Sequence, residues 1–341
     1  MTEEELAVAA KAEEAQARLA LAATYIPGTA PWLAVSEASG AWIYDITGKK
    51  YLDFGEGARV SLLGHSYSSP SYAVRDHLNN YLYPGSPGEV ASDYVVRYAQ
   101  HLSSFFPAVD NVPQQVLVCS GEPEAMQLVR QLTADGGVQI RPASPAGFLD
   151  GGMVQDLVHQ ARGSGKLIVA NELLSGFGRT GQFLASHYFN FFPDIVVLGS
   201  PGAGGFPFAA VVAPASVFRR SLELGPYLTS PPACAAALGV LMNMTKDLFA
   251  HVTEMGDLME RSIMEASAQF PSHIKEVTGK GLLRRLMLVN PMREDRFLME
   301  CRSRGLILGD GLTLTPPLTI LPDEIQLAAD IIADVLMELS A

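Results

Sequence analysis

The stretch PDIVVLGSPGAGGFPFAAVV, residues 193–212, consists of two short apolar runs separated by a turn rich in glycine and proline. Runs this short, rich in valine and bounded by chain breakers, read as strands buried on both faces. Strands of that kind sit inside a sheet covered by helices on each side.

The same grammar extends outward in both directions. KLIVAN is another buried run, and GGMVQDLVHQARGSG before it has helical spacing. QQVLVCSGEPEAMQLVRQLTA switches from strand to helix near Ser120. Strands alternating with helices predict a mostly parallel sheet, an α/β fold. Further upstream, SPSYAVRDHLNNYL and EVASDYVVRYAQHLSSFF are helical, and GAWIYDITGKKYLDF alternates around TGK as a hairpin over residues 40–54 does. The opening MTEEELAVAAKAEEAQARLALAATYIP has apolar positions at helical spacing and predicts an amphipathic helix that packs on something.

Beyond residue 230 the pattern stays helical through PPACAAALGVLMNMTKDLFAHVTEMGDLMERSIMEASAQF, too long for one helix without a break. A strand at LLRRLMLVN, a helix at REDRFLMECRSRG and the closing PPLTILPDEIQLAADIIADVLMEL complete a smaller α+β part. The 341 residues exceed the size at which a single core usually stops growing. The expected division is an N-terminal helix and hairpin over 1–60, a large α/β domain over 61–235 and a C-terminal α+β domain over 236–341.

Apolar residues make up 48% of the chain and charged ones 18%, as in a folded globular protein. A formal charge of −12 disfavours nucleic acid and anionic membrane as partners and leaves a small molecule or another protein. Cys119, Cys234 and Cys301 form no CxxC pair and read as core thiols of a reducing compartment. The acidic N-terminus lacks the pattern of a signal peptide, and no run is long enough to span a membrane, so the expected location is cytoplasmic.

Generic motifs decide little. GFGRTG at 176–181 matches GxGxxG, but ELLS separates it from the preceding strand and no helix opens at its last glycine, against a dinucleotide site. No P-loop is present, and the seven histidines form no HxxxH or HExxH pair, so no metal is expected. His65, Glu172 and Asp194 are acid–base candidates with ordinary structural alternatives, a turn histidine, a loop cap and a cap on the turn before a strand.

Order along the chain says more. SGAWIYDITGKKYLDFGEGARVSLLGHSYSS, LVCSGEPEAMQLVRQL, LIVANELLSGFGRTGQFLASHYFNFFPDIVVLGS, PPACAAALGVL, VTGKGLL and LTLTPPLTI resemble, in sequence order, successive segments of the class III pyridoxal-phosphate aminotransferases, the acetylornithine and 4-aminobutyrate group. The resemblance implies the fold type I architecture and a dimer, either with a second copy or with an aminotransferase paralogue. It also implies a pyridoxal-phosphate site built from Ser120, Gly121, Glu122, Asn171 and Ser200, with His65, Glu172 and Arg179 as further pocket residues.

The departures fall on the chemistry. By the resemblance Ser200 stands where the family has its Schiff-base lysine, and a hydroxyl forms no imine. Asn171 matches the aspartate that keeps the pyridine nitrogen protonated, and an amide supplies no such charge. Glu122 matches a phosphate-binding threonine, Pro226 another, and Thr313 an arginine for substrate carboxylate. Several tens of residues are missing around 134–140, and Arg141-Pro142 stands where the family has Glu-Pro. Such a loss predicts an uncovered sheet edge, with the N-terminal helix or a partner chain as its cover.

The resemblance therefore implies an aminotransferase-like protein without conventional transamination, a pseudoenzyme or partner subunit, with pyridoxal phosphate possible and not covalently held. The alternative is an enzyme with a repurposed pocket, using the cofactor or its amine form without a lysine or keeping residual aminotransferase activity on an amino acid.

Overall fold

The computed structural model describes residues 3–25, 31–82, 85, 90–134, 136–144, 147–218 and 230–340. Helix α1 (Glu3–Tyr25) precedes strands β1 (Val35–Ser39), β2 (Trp42–Asp45) and β3 (Lys50–Phe54), then helices α2 (Glu56–Val60), α3 (Ser68–Asn80) and α4 (Asp93–Ser103). The central part runs β4 (Gln115–Cys119), α5 (Glu122–Leu132), β5 (Gly137–Ile140), β6 (Ala143–Ser144), β7 (Gly147–Phe148), α6 (Gly151–Gly163), β8 (Leu167–Glu172), β9 (Ile195–Leu198), β10 (Ala209–Ala213) and α7 (Ala215–Phe218). Helices α8 (Pro231–Leu241) and α9 (Lys246–Ser267) lead to β11 (Ile274–Lys280), β12 (Leu283–Leu288), α10 (Glu294–Ser303), β13 (Leu306–Leu308), β14 (Thr313–Leu314) and α11 (Pro322–Ser340).

The central sheet has the order β4-β10-β9-β8-β5. Strands β9, β8 and β5 pair in parallel, while β10 is antiparallel to both β4 and β9. Four of the five strands therefore point the same way, as the apolar runs predict. Alternation sorts their side chains onto two faces. Val169, Ile195, Val197 and Val211 meet Ala125, Leu128, Val129 and Leu132 of α5 on one face. Val196, Leu198, Ala210 and Val212 join the main core with α4 and α8 on the other.

The hairpin of β2 and β3 forms where the sequence places it, because Asp45 Oδ1 accepts from the Thr47 amide at 2.9 Å, its hydroxyl at 2.6 Å and the Lys49 amide at 3.0 Å. What no local pattern announced is its partner. β13 pairs in parallel with β3, joining the C-terminal part to the N-terminal hairpin in one sheet, β1-β2-β3-β13. Trp42 Nε1 donates to Glu324 Oε1 at 2.8 Å, and the amides of Thr315 and Leu318 donate to the carbonyls of Phe54 and Leu62, each at 2.8 Å. One continuous apolar core accordingly extends from Ala41 to Leu339.

One expectation holds and another changes. The long helical stretch after residue 230 does break, with α8 and α9 bent by 77°. No single helix among the described residues is long and apolar enough to cross a membrane. The N-terminal helix, by contrast, packs on almost nothing: from Ala7 onward its described side chains are exposed apart from partly covered Ala15, Leu19 and Ala22. Its apolar positions are mostly alanines, each offering too little surface to hold the helix against a neighbour. Edge strand β5, reached from α5 through residues 133–136 alone, has Gly137 and Gln139 exposed.

Candidate active site

The strands that share a direction end together, and in open α/β sheets the crevice outside their carboxyl ends is where ligands bind. Residues just past those ends, Glu122 after β4, Arg141 after β5, Asn171 and Leu173 at the end of β8, and Ser200 after β9, line one cavity of about 240 Å3. Arg59 and Val60 of α2 close another side. The structure thus gathers three of the expected residues, Glu122, Asn171 and Ser200, and adds Arg59 and Arg141, neither of them expected to line the pocket. A larger groove of about 820 Å3 along α4 and β4 is lined mainly by apolar groups such as Phe106, Val112, Leu117 and Phe218, with no titratable side chain among the described residues lining it. It has less to offer chemistry.

Ser200 is half-buried, and its hydroxyl reaches the Phe208 carbonyl at 3.4 Å. The turn leading to it is tight: a Cβ on Gly199 would lie 2.7 Å from Glu122 Oε1 and 2.9 Å from the Leu173 carbonyl oxygen. Glu122 therefore points across the cleft mouth toward the end of β9. Asn171 is buried, its amide oxygen accepting the Leu173 amide at 3.3 Å while its nitrogen faces the Met126 sulfur at 4.0 Å.

Gly121 is the N-cap of α5 and has no side chain to cap with. Both Glu122 and Glu124 fall in the first turn, where carboxylates meet the positive end of the helix dipole. Glu124 Oε2 accepts from the Ser120 amide at 2.8 Å and from its hydroxyl at 2.7 Å. Burial, reinforced by the Glu124 charge, pushes the neighbouring Cys119 thiol up to about 12.

Arg59 supplies the positive side. Burial lowers its pKa, while the charges of Glu122 and Asp310 oppose that shift. Arg179, fully buried, donates through Nη2 to the Arg59 carbonyl at 3.1 Å and through Nη1 to the Pro316 carbonyl. Burial, with the Arg59 charge beside it, pulls its pKa down to about 9. Arg179 thereby fixes the chain at the cleft wall without lining the cleft itself.

Glu172 and His65 are elsewhere too. The fully buried Glu172 carboxylate accepts from the amides of Ala185 at 3.1 Å and Ser186 at 2.7 Å and from the Ser175 hydroxyl, clamping the loop that contains GFGRTG. His65 Nε2 lies 2.9 Å from Oδ2 of buried Asp53, whose Oδ1 takes the Gly55 amide at 2.9 Å. Thr313 is buried in β14, paired with Arg285, and is not among the cleft residues; Pro226 lies outside the described residues. Among the described residues no group of three or more His, Cys, Asp or Glu is placed to hold a metal, and all three cysteines are buried and free.

The missed residues left faint traces. Two acids flanking a proline just after Ser-Gly signal a helix start, and that signal points at Glu124. Arg141 is visible only as a departure from Glu-Pro, and Arg59 in GEGARV carries no local signal at all.

Known proteins share both the fold and the sequence order. An acetylornithine aminotransferase of Alnus glutinosa, described as mitochondrial, is 25% identical over 374 residues, covering 87% of this chain and 82% of that protein. That alignment is longer than the chain itself, so the relative carries residues within it that are missing here. An ornithine aminotransferase from Plasmodium yoelii superposes with a TM-score of 0.84 at 20% identity, over 95% of this chain and 99% of the other. The acetylornithine aminotransferase from Elizabethkingia anophelis gives a TM-score of 0.83 at 19% identity, over 95% and 99%. These likenesses place the fold among the fold type I aminotransferases. The family model "Aminotransferase class-III" matches residues 135–336, more than half of the chain and the part that holds Arg141, Asn171 and Ser200 of the cleft, so this protein belongs to the class III aminotransferases, a family that uses pyridoxal phosphate.

Proposed function

We propose that this protein keeps the class III scaffold and has given up lysine-dependent transamination. The observation that carries the reading is the cleft itself, which Ser200 lines beyond β9 and to which no lysine contributes among the described lining residues. An imine to a cofactor aldehyde needs a primary amine, and a serine hydroxyl provides none.

Neither Lys166 nor Lys280 is placed to substitute. Lys166 precedes β8, at the end of the sheet opposite to the cleft, and Lys280 on β11 stacks its ammonium over the Tyr188 ring at 5.1 Å. The remaining groups fit the cofactor poorly as well. Asn171 offers a neutral amide already engaged with Leu173 where a pyridine nitrogen would need a charge, and the α5 N-terminus presents carboxylates to a phosphate. The corresponding role is that of a partner or scaffold subunit, pairing with a second copy or with an active paralogue.

The test is a spectral titration of the purified protein with pyridoxal phosphate, then borohydride reduction and peptide mass spectrometry. No site-specific reducible adduct is expected, and a pyridoxyl group fixed on one lysine at equimolar cofactor would overturn the proposal. Ser200→Lys is expected to restore no transamination above background in a coupled assay with amino acid and 2-oxo acid, because the amine alone leaves Asn171 and Glu122 unchanged. Turnover by that variant would show that a single substitution separates the chain from its relatives.

A further inference from the structure

We infer that helix α5 carries its own anion, and that the cleft beside Ser200 consequently gives no advantage to a ligand bearing a phosphate. This deepens the reading above and rests on the same cleft.

A helix N-terminus with free backbone N–H groups is a ready site for an anion, through both the donors and the dipole. The first turn of α5 already holds two carboxylates, Glu122 and Glu124, and Glu124 Oε2 receives both the amide and the hydroxyl of Ser120, the residue ahead of the Gly121 N-cap, at 2.8 and 2.7 Å. Charge-assisted bonds to one carboxylate oxygen are strong, and an incoming phosphate would have to displace them. It would also meet Glu122, whose Oε1 lies 2.7 Å from the position of a Cβ on Gly199, at the mouth between α5 and β9. A dianion beside two carboxylates is repelled at close range.

The arginines do not cancel this. The charges of Glu122 and Asp310 already act on Arg59, and Arg141 is exposed, where an ionic contact is weakened by water and salt. The polar rim therefore balances itself, and the α5 end of the cavity is closed to further negative charge.

Pyridoxine and pyridoxine 5′-phosphate are suitable probes, since they differ only in the phosphate and neither forms an imine with surface lysines. Calorimetric titration of the wild-type protein should give no preference for the phosphate form, whether both bind or neither does. In Glu122→Thr/Glu124→Ala the phosphate form should become favoured by about tenfold or more. A wild-type preference for the phosphate form of that size overturns the inference, as does a folded double variant without one. Should the double variant fail to fold by circular dichroism, Glu122→Gln keeps the Ser120–Glu124 bonds and should show a smaller gain; an unchanged preference there also overturns it. A borohydride-fixed adduct would sink the proposed function, whereas a phosphate preference in the wild type would sink only this inference.

Discussion

Glu172→Ala is expected to destabilise the fold by about 3–5 kcal/mol, a large fraction of the stability of an ordinary domain. The substitution strips the partner from the amides of Ala185 and Ser186 and from the Ser175 hydroxyl, all in a fully buried pocket that water does not reach. Glu172→Gln keeps one acceptor and should cost about 1–2 kcal/mol. The pH dependence separates charge from hydrogen bonding. Burial raises the Glu172 pKa above its ordinary 4.5, and the bonds from Ser175, Ser186 and Ala185 offset only part of that rise. The folded chain thus binds this proton more tightly than the unfolded one. The resulting stabilisation is complete below the unfolded pKa and is lost as pH rises through the folded value. Denaturant midpoints of wild type and Glu172→Gln should therefore converge with increasing pH; a gap that widens would mean that the three donors outweigh desolvation.

Legibility from sequence tracks the range of the signals. The strands at 195–198 and 209–213, the hairpin before Phe54 and the break after Leu241 are all announced by local pattern, because burial and turn chemistry act over a few residues. The parallel pairing of β13 with β3 is not, since partners some 250 residues apart leave no periodic trace in either segment. The N-terminal helix fails for a different reason: spacing predicts an apolar face, but side-chain size decides whether a face can hold.

The cleft divides the same way. Asn171, Glu122 and Ser200 are reachable through order along the chain, because each lies at the end of a recognisable strand. Arg59 enters through tertiary placement, by way of Arg179 holding its carbonyl. Glu172 and Arg179 look like pocket chemistry in the sequence and instead hold the walls, bonded there to backbone amides and carbonyls. Retention of GFGRTG is thus explained by architecture, with or without a ligand.

That architecture has a weak point at which a single methyl group should be costly. In α9, a Cβ on Gly256 would lie 2.3 Å from the Gly281 carbonyl oxygen, and one on Gly281 would lie 2.6 Å from the Thr180 carbonyl carbon. Three backbones, those of α9, the β11–β12 turn and the GFGRTG loop, are therefore stacked in near contact, with the Leu282 amide donating to the Arg179 carbonyl at 3.0 Å. Backbone cannot swing aside as a flexible side chain does, so Gly256→Ala should cost about 3 kcal/mol despite the better helix propensity of alanine. Gly281→Ala adds strain, because its φ of 53° is left-handed. Its effect should exceed that of Gly256→Ala, read as the drop in denaturation midpoint. The two residues touch, so once either has prised the stack apart the second methyl meets an opened gap. The double variant should accordingly lose less than the sum of the singles. Strict additivity would mean that the two glycines act on separate contacts, and a neutral Gly256→Ala would show that α9 can shift away from the turn without disturbing the loop that holds Arg59.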